Sequence, residues 1–370
     1  MKQGRSLTDL AAELDRQRNA KRDFVASTAA MEAQVVGEGD NRQFAVELTG
    51  QGYYDVNQTA HRQIGEQAKI PAKYYDRMRD IAPDLLAANI NHWWHTDPTK
   101  RMVRTLDGRA RAFVSDRFRC LDNYDLAEAV IPRLIDAKAE VTSCEVTEDR
   151  LYIKAVVPGM KREIVTKGFF DFGTHDKVDV IEPGIEIGNS EVGKGSLSVS
   201  PGIHTVRCTN LAVWKGSGLR KYHVGRADSS IDDTVRELLS DDTRRQVDRA
   251  FWSTVSDMVP AMLGGPIYDE IVASLTDAAQ DDIDADPVKV VEVFAKDRQL
   301  SDAESSSVLQ HLIRGGDLTR YGLHNAVTRM SQDVDSYDRA SELEVMGASV
   351  IELPRSEWRQ INEKATALAA

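Results

Sequence analysis

The sequence predicts an α+β protein, and three observations carry that expectation. Between residues 100 and 226, two hairpin signals bracket one amphipathic helix and further short strands follow. Strands that do not alternate regularly with helices exclude a doubly wound parallel sheet. Residues 1–99 and 227–370 instead space their apolar side chains by three and four, the period of a helix. The expected architecture is therefore an antiparallel, hairpin-based central domain (100–226), an N-terminal mostly helical region (1–99) and a helical C-terminal region (227–370).

Taken in order, Ser6 is a candidate N-cap for a helix carrying Leu7, Leu10, Ala11 and Leu14, broken by the glycines around residues 37–41. Phe44, Val46 and Leu48 alternate as one short strand. Residues 58–79 read as two short helices, with Pro71 in the first turn of the second, where its missing N–H costs nothing. That pair has helix-turn-helix spacing and would present Lys73, Tyr74 and Arg77 to a groove, although Lys69 stands where a turn glycine is common. A further helix covers 83–94. Asp107 and Gly108 between two β-rich runs predict a hairpin over 102–114. Residues 123–137 form a helix with Leu126, Val130, Leu134 and Ile135 on one face, and 141–157 a second hairpin. Strands follow at 178–187 and 197–213. Beyond 229 the pattern is helical, with a capping box at Ser301 and Glu304 and a stop at Gly315 and Gly316.

The chain of 370 residues is long enough for more than one core. It holds no run of the roughly 18 apolar residues a membrane helix needs and no secretory signal pattern at its start, so the expected compartment is the cytoplasm. Three cysteines (Cys120, Cys144, Cys208) and no CxxC pair suit a reducing setting. Charge is unevenly distributed. Lys+Arg against Asp+Glu stands at 12 to 14 in residues 1–99, 21 to 17 in 100–226 and 14 to 28 in 227–370. An acidic total argues against indiscriminate nucleic-acid binding, yet a local basic patch is all that such binding needs.

Two segments supply one. Residues 100–119 hold seven basic side chains, two acidic ones and two Phe; residues 207–226 hold five basic side chains and no acid. Cations interleaved with aromatics suit single-stranded nucleic acid, because cations neutralise phosphates and rings stack on unpaired bases. The candidate phosphate contacts are Arg104, Arg109, Arg111, Arg117, Arg119, Arg207, Lys215, Arg220, Lys221 and Arg226. The candidate stacking faces are Phe113, Phe118, Trp214 and Tyr222. Strand alternation places Arg109 and Arg111 on one exposed face.

Other patterns are weaker. NSEVGKGS (189–196) contains Gly-Lys-Gly but is not a Walker loop, which needs Gly where Asn189 stands and Ser or Thr where Gly195 stands. His92, His95 and Asp97 form one conceivable metal set, and Asp171, His175, Asp176 and Asp179 another; neither has matched spacing, so no metal is expected. A metal-dependent nuclease or nucleotide hydrolase using Asp171, His175, Asp176, Glu186 or Glu191 is the enzymatic alternative. A protein-interaction module acting through the acidic C-terminal helices is a third.

SDRFRCLDNYDL (115–126), IGNSEVGKGSLSVSPGIHTVRCTN (187–210) and RYGLHNAVTRMSQD (320–333) resemble a family of phage- and plasmid-borne proteins known as a domain of unknown function. The likeness spans roughly residues 55–350. It implies a setting of replication and recombination in mobile elements and brings no catalytic residues. The hairpin–helix–hairpin order with a basic face is similar, at the level of fold, to phage single-strand annealing proteins. The resulting expectation is a non-enzymatic, cofactor-free accessory protein that binds single-stranded DNA as a homo-oligomer.

Overall fold

Ser6 accepts a hydrogen bond from the Asp9 amide and starts helix α1 (Leu7–Ala20), as its side chain predicts. The structure, a computed structural model, describes residues 1–39, 42–170, 173–207, 209–221 and 241–369. After α1 it departs from the expected helix-rich start. Strand β3 (Gln43–Leu48) is the expected one, and strands β1 (Arg22–Ser27), β2 (Met31–Val36) and β4 (Gly52–Val56) occupy the rest of the stretch up to residue 56. For β1 the reason is non-local. β1 has no strand partner next to it in the chain and pairs with β5 (Lys100–Leu106), Arg22 opposite Thr105.

β5 and β6 (Arg109–Ser115) are the predicted hairpin, and both Asp107 (φ 52°) and Gly108 (φ 76°) take the left-handed conformation of a two-residue turn. This hairpin completes a six-stranded sheet of order β1-β5-β6-β4-β3-β2. The boundary expected at residue 99/100 therefore runs through a sheet rather than between two domains. Helices α2 (Gln58–Gln67), α3 (Ala72–Ile81) and α4 (Pro83–Thr96) cover one face, burying Ile64, Leu86, Ile90 and Trp94 against Phe44, Val46 and Phe113. The α2–α3 pair turns at Lys69, which adopts φ 56°, the conformation for which glycine is usual. Lys73, Tyr74 and Arg77 lie on its exposed side.

The second sheet has seven strands. β7 (Glu140–Val146) and β8 (Leu151–Val156) form the second predicted hairpin. β9 (Arg162–Phe170) and β8 pair in turn with the long β10 (Gly173–Asn189). β11 (Leu197–Thr205) pairs along the other edge of β10, with β12 (Asn210–Val213) and β13 (Leu219–Lys221) beside it. Helix α5 (Asn123–Asp136) packs Leu126, Val130 and Leu134 on Ile153, Ile185, Ile187 and Val199; Ile135, expected on the same face, points to solvent. The described residues beyond the second sheet are helical: α6 (Asp241–Met262), α7 (Gly265–Ala278), α8 (Pro287–Asp297), α9 (Asp302–Gly315), α10 (Arg320–Met330), α11 (Tyr337–Ile351) and α12 (Arg355–Ala369). The Ser301–Glu304 capping box forms, and Gly316 ends α9 in the left-handed conformation. Twelve helices and two sheets, with helices at both ends, make the described residues an α+β fold. None of these helices is long and apolar enough to cross a membrane.

A buried arginine ties the first sheet to the second. Arg104 on β5 is fully buried, and each of its guanidinium nitrogens donates a hydrogen bond. Nε and Nη2 fork onto the Asp23 carboxylate (2.9 Å each), Nη2 also reaches Asp122 Oδ1 (3.0 Å), and Nη1 reaches the Glu191 carbonyl (2.8 Å). The β5–β6 register shifts between Arg104 and Thr105, where β6 carries one extra residue, Arg111, a bulge of the kind that can re-aim a side chain.

Removing one partner of a buried ion network leaves the others uncompensated. Arg104→Ala is therefore expected to destabilise the fold by about 3–5 kcal/mol, read as a lower urea midpoint. Arg104→Lys should recover only part of this, since an ammonium cannot fork onto Asp23.

Two buried histidines set a pH dependence. His324 on α10 donates from Nδ1 to the Gly347 carbonyl at 2.8 Å, and His61 on α2 meets the Tyr75 hydroxyl at 2.8 Å. Burial pushes each down to about 4. The unfolded chain, with ordinary imidazoles near 6.5, then binds more protons than the folded one between about pH 4 and 6.5. Stability should fall as pH drops through that window, by up to about 1.4 kcal/mol per pH unit for each histidine. Urea titrations at stepped pH should show a shallower decline for His324→Gln than for the wild type.

Candidate nucleic-acid interface

The loop at 190–196, between β10 and β11, is the most unusual stretch of the sequence, and it lies at the junction of the two sheets. Its first half is buried frame. Asn189 donates to the Leu121 carbonyl (2.7 Å) and to Asn123 Oδ1 (2.9 Å). Ser190 donates to the Asp149 carbonyl and accepts from the Lys194 amide. Glu191 carries the loop's one carboxylate and turns it inward. Oε1 accepts from the Asn123 amide at 2.6 Å, satisfying the first turn of α5, and Oε2 accepts from Arg111 Nη2 at 2.5 Å. Gln63 of α2 locks the loop to the first sheet, donating to the Val192 carbonyl and accepting from the Phe113 amide, both at 2.7 Å.

The second half faces outward. Gly193 sits at φ 79°, and Lys194 beside it is exposed. The Arg150 guanidinium packs against Gly195, where a Cβ would fall 2.0 Å from its Nη1 and would have to displace it. The loop forms one wall of a groove of about 530 Å³ whose other wall is the open end of the β5–β6 hairpin, with Arg101, Val114, Ser115 and Phe118. Arg101 is half-buried there. Burial draws its guanidinium below the usual arginine range, and Asp116 only partly offsets that. Among the described residues, Glu66 is the only carboxylate lining the groove. On the register of β13, Lys221 lies opposite Leu197 and Arg220 opposite Ser198. The chain of the second basic segment thus runs back to within two residues of Gly195.

The other expected site residues divide by burial. Arg104 is the buried inter-sheet tie, and Arg111 is buried against Glu191, so neither is open to phosphate. Arg109 and Arg111 do not share an exposed face, because both faces of β6 are covered, one by α2 and α4 and the other by the 190–196 loop; only Arg109, beside the turn, is exposed. Arg119 pairs with Asp248 at 2.6 Å and lies over the Phe251 ring. The three described aromatics are core rather than stacking faces. Phe113 stacks on Trp94 with centroids 5.5 Å apart, Phe118 lies under Arg104, and Trp214 is buried beside His324. Arg117 and Arg220 are exposed. Lys215 is half-buried 3.5 Å from Glu186. Arg207 is exposed but sits past the far end of β11, beside Lys177, which lies twelve residues along β10 from Asn189, or roughly 40 Å of strand. Only the backbone of Lys221 is described, and Tyr222 and Arg226 lie outside the described residues.

Of the carboxylates proposed for an enzyme, Glu186 and Glu191 are each engaged separately. Glu186 is buried between Lys154 and Lys215, Glu191 is held by Arg111 and the α5 amide, and Asp171 lies outside the described residues. Among the described residues no three His, Cys, Asp or Glu side chains are placed to hold a metal ion. The reading of the sequence misses Arg101 and Lys194. The signal for Lys194 is present: the acid-free run starts at Val192, not at Arg207.

Comparisons with family models, with curated proteins and with solved structures return no match for this chain.

The division of the loop into frame and surface is testable on stability alone. Glu191→Ala removes the Arg111 ion pair and an α5 amide acceptor together, and is expected to cost about 3–5 kcal/mol in chemical denaturation. Lys194→Ala, three residues on, should stay within about 0.5 kcal/mol of the wild type.

Proposed function

We propose that the groove between the 193–195 loop and the β5–β6 hairpin binds single-stranded DNA through its phosphates. The observation that supports this reading is the meeting of the two basic segments. The hairpin end brings Arg101, with Arg117 two residues past Ser115, the strand partner of Arg101, and the loop brings Lys194. The strand carrying Arg220 and Lys221 then enters alongside. A half-buried guanidinium whose charge is supported by Asp116 alone gains from an incoming anion. The resemblance to phage- and plasmid-borne proteins supports the same setting, replication or recombination of a mobile element.

The chemistry asked of the groove is modest. Base pairing supplies the free energy of annealing, and the protein neutralises and extends the strand. No cofactor and no catalytic group are required. With Phe113, Phe118 and Trp214 in the core, binding draws on phosphate contacts rather than on ring stacking, which makes it tolerant of sequence and steeply dependent on salt. Holding many nucleotides at once would call for a homo-oligomer.

The test is a salt titration of affinity for single-stranded oligonucleotides by fluorescence anisotropy. Arg101→Ala with Lys194→Ala should weaken binding to every sequence tried. It should also lower the slope of log affinity against log salt by about 0.7 for each phosphate no longer neutralised. Arg207→Ala, at the far end of the second sheet, should change neither. A double variant with wild-type affinity and slope would remove this reading.

A further inference from the structure

Where the second sheet meets the acidic C-terminal helices lies a concentration of cations that the groove does not use. A pocket of about 440 Å³ lies between the outer end of the second sheet and helices α9 and α10. Lys177 enters it from β10, Arg207 from the turn after β11, Arg314 from the last turn of α9 and Arg329 from α10. Gly322 and Ala326 lie on the same face of α10 as Arg329, and their small side chains leave the space open. Gly322 cannot be larger, since a Cβ would fall 1.8 Å from the Asp317 carbonyl oxygen.

The nearby acids are engaged elsewhere. Asp317 is buried and accepts from the Thr166 and Thr319 hydroxyls, both at 2.6 Å. Asp333 accepts from His311 at 2.6 Å and from Ser307 at 2.9 Å. Asp179 lies 3.9 Å from Lys177. Among the described residues, Arg207, Arg314 and Arg329 form no ion pair with a carboxylate, and Arg329 Nη1 is buried without a hydrogen-bond partner. Cations at a helix C-terminus often do no more than cap its carbonyls. Lys177 does this, donating to the Gly315 carbonyl at 3.4 Å. Capping leaves Arg207 and Arg329 unexplained, because among the described residues neither donates to a carbonyl of α9.

We infer that this pocket is a binding site for the phosphate group of a small phosphorylated molecule, separate from the proposed DNA groove. Three guanidiniums and one ammonium converge on one concavity from four separate chain segments. Planar guanidinium forks match phosphate oxygens, and an oxygen seated at Arg329 would satisfy its buried donor. The pocket volume falls in the range of small-ligand sites.

Calorimetric titration of the full chain with inorganic pyrophosphate, against chloride at matched ionic strength, tests this site directly. The wild type should bind saturably, with one site per chain. Arg314→Gln with Arg207→Gln, both at exposed positions, should weaken binding about tenfold or more, the equivalent of losing one charge-assisted hydrogen bond. Arg329→Gln should do the same, with its melting curve recorded beside it to exclude a folding defect. Lys194→Ala should bind pyrophosphate as the wild type does, which separates this site from the DNA groove. No saturable binding by the wild type, binding of single-stranded DNA but not pyrophosphate through these residues, or an Arg314→Gln/Arg207→Gln double variant with unchanged affinity would overturn the assignment.

Discussion

The whole arrangement depends on a buried arginine. Arg104 sits at the meeting of two sheets that share no strand, and its donors are what three separate segments close upon: Asp23 at the start of β1, Asp122 before α5 and the Glu191 carbonyl in the loop after β10. A guanidinium with no exposure is tolerable only when its charge and its N–H groups are matched, so the three segments must arrive together. That requirement fixes the loop on the hairpin, and the loop in turn fixes everything proposed for the surface around it.

Glu191 adds a second constraint to the same loop. By pointing its carboxylate inward to Arg111 and the Asn123 amide, it takes away the only negative charge the loop would otherwise display. What remains outside is Gly193, Lys194 and Gly195 on a backbone held at Ser190 and Val192. A loop held at both of these points that shows a lysine needs little reorganisation to meet an anion, which is the physical case for placing a phosphate contact there. The cations of this protein are accordingly of two kinds. Arg104, Arg111 and Arg119 have carboxylates within ion-pair distance and hold the structure, whereas Arg101, Lys194, Arg207, Arg314 and Arg329 form no such pair among the described residues.

Local signals are legible in the sequence and non-local ones are not. The Ser6 cap, the Asp107 and Gly108 turn, the α5 stripe and the Ser301 capping box are each written within a few residues, and each forms. β1 reads as helix because its identity depends on β5, some 80 residues away along the chain, whereas β2, β3 and β4 pair with one another in sequence order and β3 is read as a strand. The same limit applies to the site. Charge and aromatic content mark residues 100–119 as unusual, but strand alternation cannot tell an exposed face from one covered by a second sheet. Arg104 and Arg111 therefore resemble phosphate contacts, and Phe113, Phe118 and Trp214 stacking platforms, when burial makes them frame. Lys194 is hidden for the opposite reason, as a single lysine beside a loop that fails the Walker pattern.

Hydrogen–deuterium exchange with and without a single-stranded oligonucleotide tests the central claim most directly, because it locates the contact without altering the chain. The account predicts added protection at residues 192–197, 100–102 and 114–118, with the helices α8, α9 and α12 unchanged. Protection confined to other elements, or none at saturating oligonucleotide, would contradict it.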